Sequence, residues 1–299
     1  MQGLILINKP QGITSFSAVN KIKWLAGEKR VGHTGTLDPL ATGLLPIFIG
    51  RPTALAGIVL DADKSYIATV KLGVTTDTCD ITGNILTKKE SAVTKSELEM
   101  ALETFKGEIS QVPPMYSALK KDGVRLYELA RQGKTVDIEA RRVIISKLEL
   151  LSFEGDTFKI EVDCSKGTYI RSLCRDIGEK LGCGATMTEL CRTATGGFTI
   201  EQTVSLDHLT KENIKEYLLP EDAALKNLRE VFVTEKQAVR FSNGGQLAYE
   251  RLRFADFTEG ELLRIKYNNL FLGVGYADNT NEQIAIKCVI NQYTATGDK

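Results

Sequence analysis

Twelve residues, GHTGTLDPLATG at positions 32–43, carry three glycines and a proline, and so suit neither a helix interior nor a central strand. An amphipathic stretch precedes them and the apolar run LLPIFIG follows at 44–50. A chain written this way must build its core around an ordered loop, and loops held by a core tend to carry function. Asp38 precedes Pro39, which biases its backbone toward extended geometry and restricts where the carboxylate points. His33, one of two histidines, stands five residues earlier.

The flanking sequence predicts the elements that hold the loop. A short strand at 4–7 leads into the turn NKPQGITS at 8–15, where Lys9 precedes Pro10 and Thr14 or Ser15 caps a helix. That helix runs to Ala26 with Val19, Ile22, Leu25 and Ala26 on one face, and Gly27 stops it. Strands are expected at 44–50 and 65–72, with Tyr66 at the start of the second, where a packing role is the ordinary one. The segment 75–83, with Asp77 and Asp80, reads as a turn-rich connection. A helix at 94–106 has a Thr94/Glu97 capping box and Gly107 as its stop.

Residues 111–134 interleave aromatic and basic side chains around Pro113 and Pro114, with a short helix face of Leu126, Leu129 and Ala130. Paired strands are expected at 141–152 and 158–163, then an amphipathic helix with Leu173, Cys174, Ile177 and Leu181 inward. A domain junction is placed between 199 and about 230. Beyond it, Thr234 and Gln237 cap a short helix, the apolar runs LLRIKY and LFLGVGY flank the hairpin pair Asn268-Asn269, and a strand follows at 284–290.

Composition narrows the function. Apolar residues at 42% and charged residues at 25% describe an ordinary globular protein with enough length for a buried core. No apolar run approaches the roughly 18 to 20 residues of a membrane span. Six cysteines without a C-x-x-C pair make no zinc pattern and suit a reduced, cytoplasmic setting. Acidic and basic residues number 38 each, but residues 1–60 hold six positives against two negatives. Residues 115–142 hold seven positives against four negatives, so basic faces suited to phosphate are local.

The loop GHTGTLDPLATG resembles, nearly letter for letter, the catalytic motif of the TruB-type tRNA pseudouridine synthases, and further motifs follow in the family's order. They are KPQGITS at the start, LGVTTDTCDITG at 72–83, QVPPMYSALK with LYELARQG, CSKGTYIR at 164–171 and MTELCRTATGGF at 187–198. An isolated aspartate in a glycine-rich loop reads first as an Asx-turn; agreement of the motifs reverses that order. The resemblance implies an α+β catalytic domain with a mixed or antiparallel sheet over residues 1–228, including an RNA-clamping insertion at about 111–141. It implies a small β-barrel-like PUA-type RNA-binding domain over 229–299; from its own letters, an SH3-like or other small barrel is equally open.

It further implies isomerisation of the T-loop uridine at tRNA position 55, with Asp38 as nucleophile, no cofactor, no metal and no guide RNA. The expected partner is the T-stem-loop of tRNA, bound by a monomer. Tyr66 would stack on the target base, Tyr169 and Arg171 would lie in the site, and Leu190 would pack at the base pocket. Arg171 would orient Asp38 and hold it ionised. Lys9 belongs to the turn packed beside the loop and joins the substrate-binding set. His33 either bonds within its own loop or touches RNA; a general base is the last of its readings. Two other classes compete: a metal phosphohydrolase using Asp38, Asp77, Asp80 and His33, and an RNA-binding module without catalysis.

Overall fold

The structure, a computed structural model, describes residues 1–121, 123–252 and 256–294. Strand β1 (Gly3–Lys9) feeds helix α1 (Ser15–Ala26), whose Thr14 cap accepts a hydrogen bond from the Ser17 amide and whose exit is Gly27 in the left-handed region. Two strands, β2 (Val31–His33) and β3 (Thr42–Ile49), bracket the twelve-residue loop. After a short helix α2 (Ala56–Leu60) come β4 (Lys64–Leu72) and the small hairpin β5 (Val74–Thr76) and β6 (Ile85–Lys88). Helix α3 (Lys95–Glu103) has the predicted capping box but ends a turn earlier than expected. Gly107 is not its stop: it opens β7 (Gly107–Gln111), whose pairing with a later strand takes over the chain.

The insertion contains the hairpin β8 (Lys120–Lys121) and β9 (Val124–Arg125) and helix α4 (Leu126–Arg131). Long strands β10 (Arg141–Glu154) and β11 (Thr157–Cys164) pair antiparallel, then α5 (Ile170–Lys180) leads to β12 (Ala185–Thr195), β13 (Phe198–Thr199) and β14 (Val204–Ser205). One mixed sheet runs β14-β1-β3-β12-β4-β11-β10-β7, with β2 added on β3 and β13 on β12. Its parallel contacts are β1 with β14 and a two-residue contact of β3 with β12. At that contact Gly43 (φ +103) lies so close to the Arg192 backbone that a Cβ would collide with it.

The second sheet orders as β15 (Arg229–Phe232), β17 (Leu262–Tyr267), β18 (Leu270–Asp278), β19 (Gln283–Val289) and β16 (Leu247–Ala248), with α6 (Glu235–Ser242) beside it. The hairpin at Asn268-Asn269 forms as expected, with Asn268 at φ 51. One core contains Ile5, Ile7, Val19, Ile22, Tyr66, Leu173 and Ile177. A second joins Leu4, Leu6, Phe48 and Val59 to Phe271, Val274 and Ile290, so the two sheets share buried apolar surface. The junction also touches the first sheet: Leu219 and Leu4 of β1 exchange both backbone hydrogen bonds.

Candidate active site

Asp38 sits in the loop between β2 and β3, and α1 fixes that loop from below. The Ser15 hydroxyl accepts from the Leu37 amide at 2.8 Å and donates to the Leu37 carbonyl at 3.0 Å. The Asp38 carbonyl accepts the Ala41 amide and the Pro39 carbonyl accepts the Gly12 amide, so the loop's backbone groups are used locally. The carboxylate is left to face another side chain.

That side chain is Arg171, buried in the first turn of α5. Its Nε lies 2.9 Å from Asp38 Oδ2, but the N–H is not aligned with that oxygen, which makes a contact ion pair rather than a linear hydrogen bond. The rest of the guanidinium is anchored: Nη1 donates to the Thr78 carbonyl at 3.0 Å and Nη2 to the Tyr116 carbonyl at 2.8 Å. Nη1 also lies 3.7 Å from Asp80 Oδ2. The insertion thus reaches the site through a carbonyl, and its root is tied to α5 by Ser172 and Arg175 donating to the Val112 carbonyl.

The Asp38 side chain is 36% exposed, yet it lies in a recess with protein on most sides, so it is reachable and poorly solvated. Burial raises its pKa; Asp80 pushes the same way, while Arg171 and Lys9 pull it down without cancelling the burial. Lys9 is fully buried, and two of its three donors go to the carbonyls of Pro10 and Ile13 in its own turn. Its pKa falls to about 8, through burial first, opposed by Asp38 and reinforced by Arg192.

Tyr66 enters β4 opposite Arg192 of β12 and Val162 of β11, and is 7% exposed. Burial raises its phenol's pKa, and the charge of Arg192 opposes the rise. Tyr169 caps α5; its amide donates to Gln111 Oε1 and its carbonyl accepts from Gln111 Nε2, while its ring lies 4.8 Å from the Arg141 guanidinium. Leu190 pairs with Ala68 and lines a recess of about 290 Å³ with Leu40, Thr42, Ile67, Thr69 and Cys191. His33 ends β2 half-buried, with a lowered pKa caused by burial and then by Arg192, and its Nδ1 lacks a hydrogen-bond partner among the described residues. Asp38, Arg171, Lys9 and Tyr66 are therefore electrostatic neighbours, while Tyr169 is drawn toward Arg141 and Leu190 toward the recess.

Four positions that hold the site together were missed or misplaced by the sequence reading: Asp80, Arg192, Gln111 and Arg141. Asp80, placed there in a turn or a cation site, is buried against Arg171, with its carboxylate accepting from the Thr78 hydroxyl and the Thr82 amide. Asp77 instead accepts from the Asn84 amide and side chain, and among the described residues no three His, Cys, Asp or Glu side chains gather as metal ligands would. Arg192 is fully buried: Nε donates to the Leu44 carbonyl at 2.8 Å and Nη2 to the Gly35 carbonyl at 3.3 Å, one on each side of Asp38. Gln111 and Arg141 position Tyr169. The signal for Arg192 was a charged residue inside an apolar strand pattern beside Leu190; Gln111 and Arg141 carry no local signal.

The profile of the TruB family pseudouridylate synthase N-terminal domain matches residues 23–170, and that of the tRNA pseudouridylate synthase B C-terminal domain matches 171–232. A tRNA pseudouridine synthase B of Pseudomonas fluorescens Pf-5 is 45% identical over 283 residues, covering 92% of this chain and 91% of its own. That of Clostridium tetani is 44% identical over 276 residues, covering 92% and 95%. A chain in the crystal structure of a Cbf5-Nop10-Gar1 complex superposes with a TM-score of 0.76 at 27% identity, covering 97% of this chain and 85% of that one. Among the described residues no helix is long and apolar enough to cross a membrane. On these matches over nearly the whole chain, the chain belongs to the TruB family of pseudouridylate synthases.

Proposed function

We propose that this protein isomerises the uridine at position 55 in the T-loop of tRNA to pseudouridine, with Asp38 as its catalytic residue. The observation that carries the reading is the Asp38–Arg171 pair: a reachable carboxylate in a pinned loop, 2.9 Å from a buried guanidinium. Relatives 43% to 45% identical and named tRNA pseudouridine synthase B support tRNA as the substrate. Their 43% to 45% identity, against 27% for the chain of the Cbf5-Nop10-Gar1 complex, favours a guide-free enzyme of the cytoplasm.

The reaction breaks the N1–C1′ bond, turns the base and joins C1′ to C5; C5 gives up a proton and N1 takes one. It balances without an oxidant, a phosphate donor or a metal. The uridine leaves its stack to reach Asp38, and an aromatic side chain near the site returns about 1–3 kcal/mol of the lost stacking. Tyr66 is that aromatic in this reading. Arg171 holds the carboxylate ionised and aimed, since its own position is set by two carbonyls and Asp80. Arg192 keeps Tyr66 and both ends of the loop in one frame. Walls such as Leu190 limit water, which would otherwise capture a cleaved sugar.

The test is pseudouridine content in an unmodified tRNA transcript incubated in EDTA with wild type or Asp38→Asn. Conversion of one T-loop uridine by wild type alone is expected. A folded wild type that binds tRNA without converting it would overturn the catalytic reading, and conversion by Asp38→Asn would remove Asp38 from its role.

A further inference from the structure

Helix α1 does more than pin the catalytic loop, because its outer face has a composition that core packing does not explain. Ser15, Ala18, Val19, Ile22 and Leu25 point inward. On the opposite side, at helical spacing, stand Phe16, Asn20, Lys23 and Trp24, with Phe16 70% and Trp24 64% exposed. Two large aromatics left in water on a single twelve-residue helix cost solvation, so their retention asks for a ligand.

The charges around them favour a polyanion. Between Ser15 and Arg30 the cations Lys21, Lys23, Lys29 and Arg30 stand against one carboxylate, Glu28. The segment after β14 braces this face: Lys21 pairs with Asp207 at 2.9 Å, and Lys211 Nζ lies 4.1 Å from the centre of the Trp24 ring. Lys211 thus adds a further cation beside the Trp24 ring. Lysines are depleted in the cores of protein–protein interfaces, whereas aromatics interleaved with cations are what unpaired nucleotides stack on.

The helix that carries this face is also joined to the site. Ser15, beside Phe16, holds Leu37, the residue before Asp38, by two hydrogen bonds. From Phe16 to Trp24 the helix advances about 12 Å, a length that roughly three or four stacked nucleotides cover. We infer that the outer face of α1, with Phe16, Lys23 and Trp24 at its centre, is a second RNA contact that takes unpaired nucleotides of the substrate outside the loop carrying the target uridine. This rests on the RNA substrate proposed above and adds where the rest of that RNA lies.

Trp24 is the chain's one tryptophan, so its emission reports on this face directly. The experiment titrates Asp38→Asn, chosen because the proposed function expects it to bind without turnover, with full tRNA transcript and with an isolated T-stem-loop hairpin, following Trp24 emission and RNA anisotropy together. Emission is expected to change with full tRNA at the concentrations where anisotropy rises, and to stay flat with the hairpin. In the otherwise wild-type enzyme, Phe16→Ala combined with Lys23→Glu should raise KM for tRNA on the order of tenfold, as loss of one stacked base and a phosphate contact would, with the loss falling on KM rather than kcat.

RNA binding with silent Trp24 emission and a KM within twofold in the double variant would overturn the inference while leaving the proposed activity standing. Emission that changes with protein concentration alone would make the face a contact between copies of the chain instead. Absence of tRNA binding and conversion in the wild type would remove the proposed function, and this inference with it.

Discussion

Two buried arginines show opposite uses of the same side chain. Arg264, on β17, lies between Asp222 of the junction and Glu230 of β15, at 3.1 and 3.2 Å, and donates to the Leu228 carbonyl. Lys266 completes the group, 2.9 Å from Asp222 and 2.8 Å from Glu230, so two cations meet two carboxylates and charge is balanced. Arg171 is equally buried, but its Nε has no aligned acceptor and its carboxylate partner is open to a ligand. Among the described residues the buried side-chain polar atoms without partners belong to His33, Thr34, Ser117, Arg141 and Arg171, which lie in the Asp38 loop, the insertion and the strand and helix next to them. The closed group clasps the second sheet to the junction; the open one keeps hydrogen-bonding capacity that a substrate can use. Unsatisfied buried groups cost stability, and here they are concentrated around Asp38 and Arg171.

That contrast is breakable. Arg171→Lys keeps the charge and loses the planar fork that spans two carbonyls and Asp38; turnover on tRNA should fall by roughly a hundredfold or more while RNA binding is mostly kept. Single-turnover rates and filter binding read the two separately, and a rate close to wild type would end the orienting role.

The opposite pattern is expected from Arg264→Met. Removing Arg264 leaves Asp222 and Glu230 to share Lys266 alone and frees the carbonyl it bonds, at about 1–3 kcal/mol. Thermal unfolding should move down by several degrees, with kcat retained below the transition; a large loss of kcat in a folded protein would mean that the clasp is coupled to catalysis.

A smaller effect sharpens the electrostatics of the open pair. If Asp38 acts as an ionised carboxylate, as proposed, kcat/KM should fall as pH drops through its raised pKa. The Lys9 ammonium draws that pKa down, so Lys9→Met should move the acid limb of the profile to higher pH by a fraction of a unit. An acid limb that stays in place or moves to lower pH would show that Lys9 acts on its own turn alone.

Much of this was legible in the letters because the signals are local. Thr14 and Thr94 cap helices through their own sequence neighbours, Gly27 ends α1 by adopting φ 61, and Asn268-Asn269 closes a hairpin between two apolar runs. The helix at 94–106 was overestimated because propensity continued past Glu103, where pairing of β7 with β10 captured the backbone. Asp38 and Arg171 were both named from motifs, but the partners of Arg171 come from Thr78, Asp80 and Tyr116, each separated from it by more than fifty residues.

The sequence by itself determined that a glycine-rich loop would be held between strands, that an aspartate would stand in it, and that the elements on either side would form where their periodicity and caps placed them. Those outcomes depend on interactions within a turn or two of chain. Only the tertiary structure decided that Arg192 would bury its guanidinium across Gly35 and Leu44, that Asp80 would turn inward, and that Phe16 and Trp24 would remain outside. Each of those depends on which strands and helices become neighbours, and desolvation and pairing over such distances are properties of the packed whole.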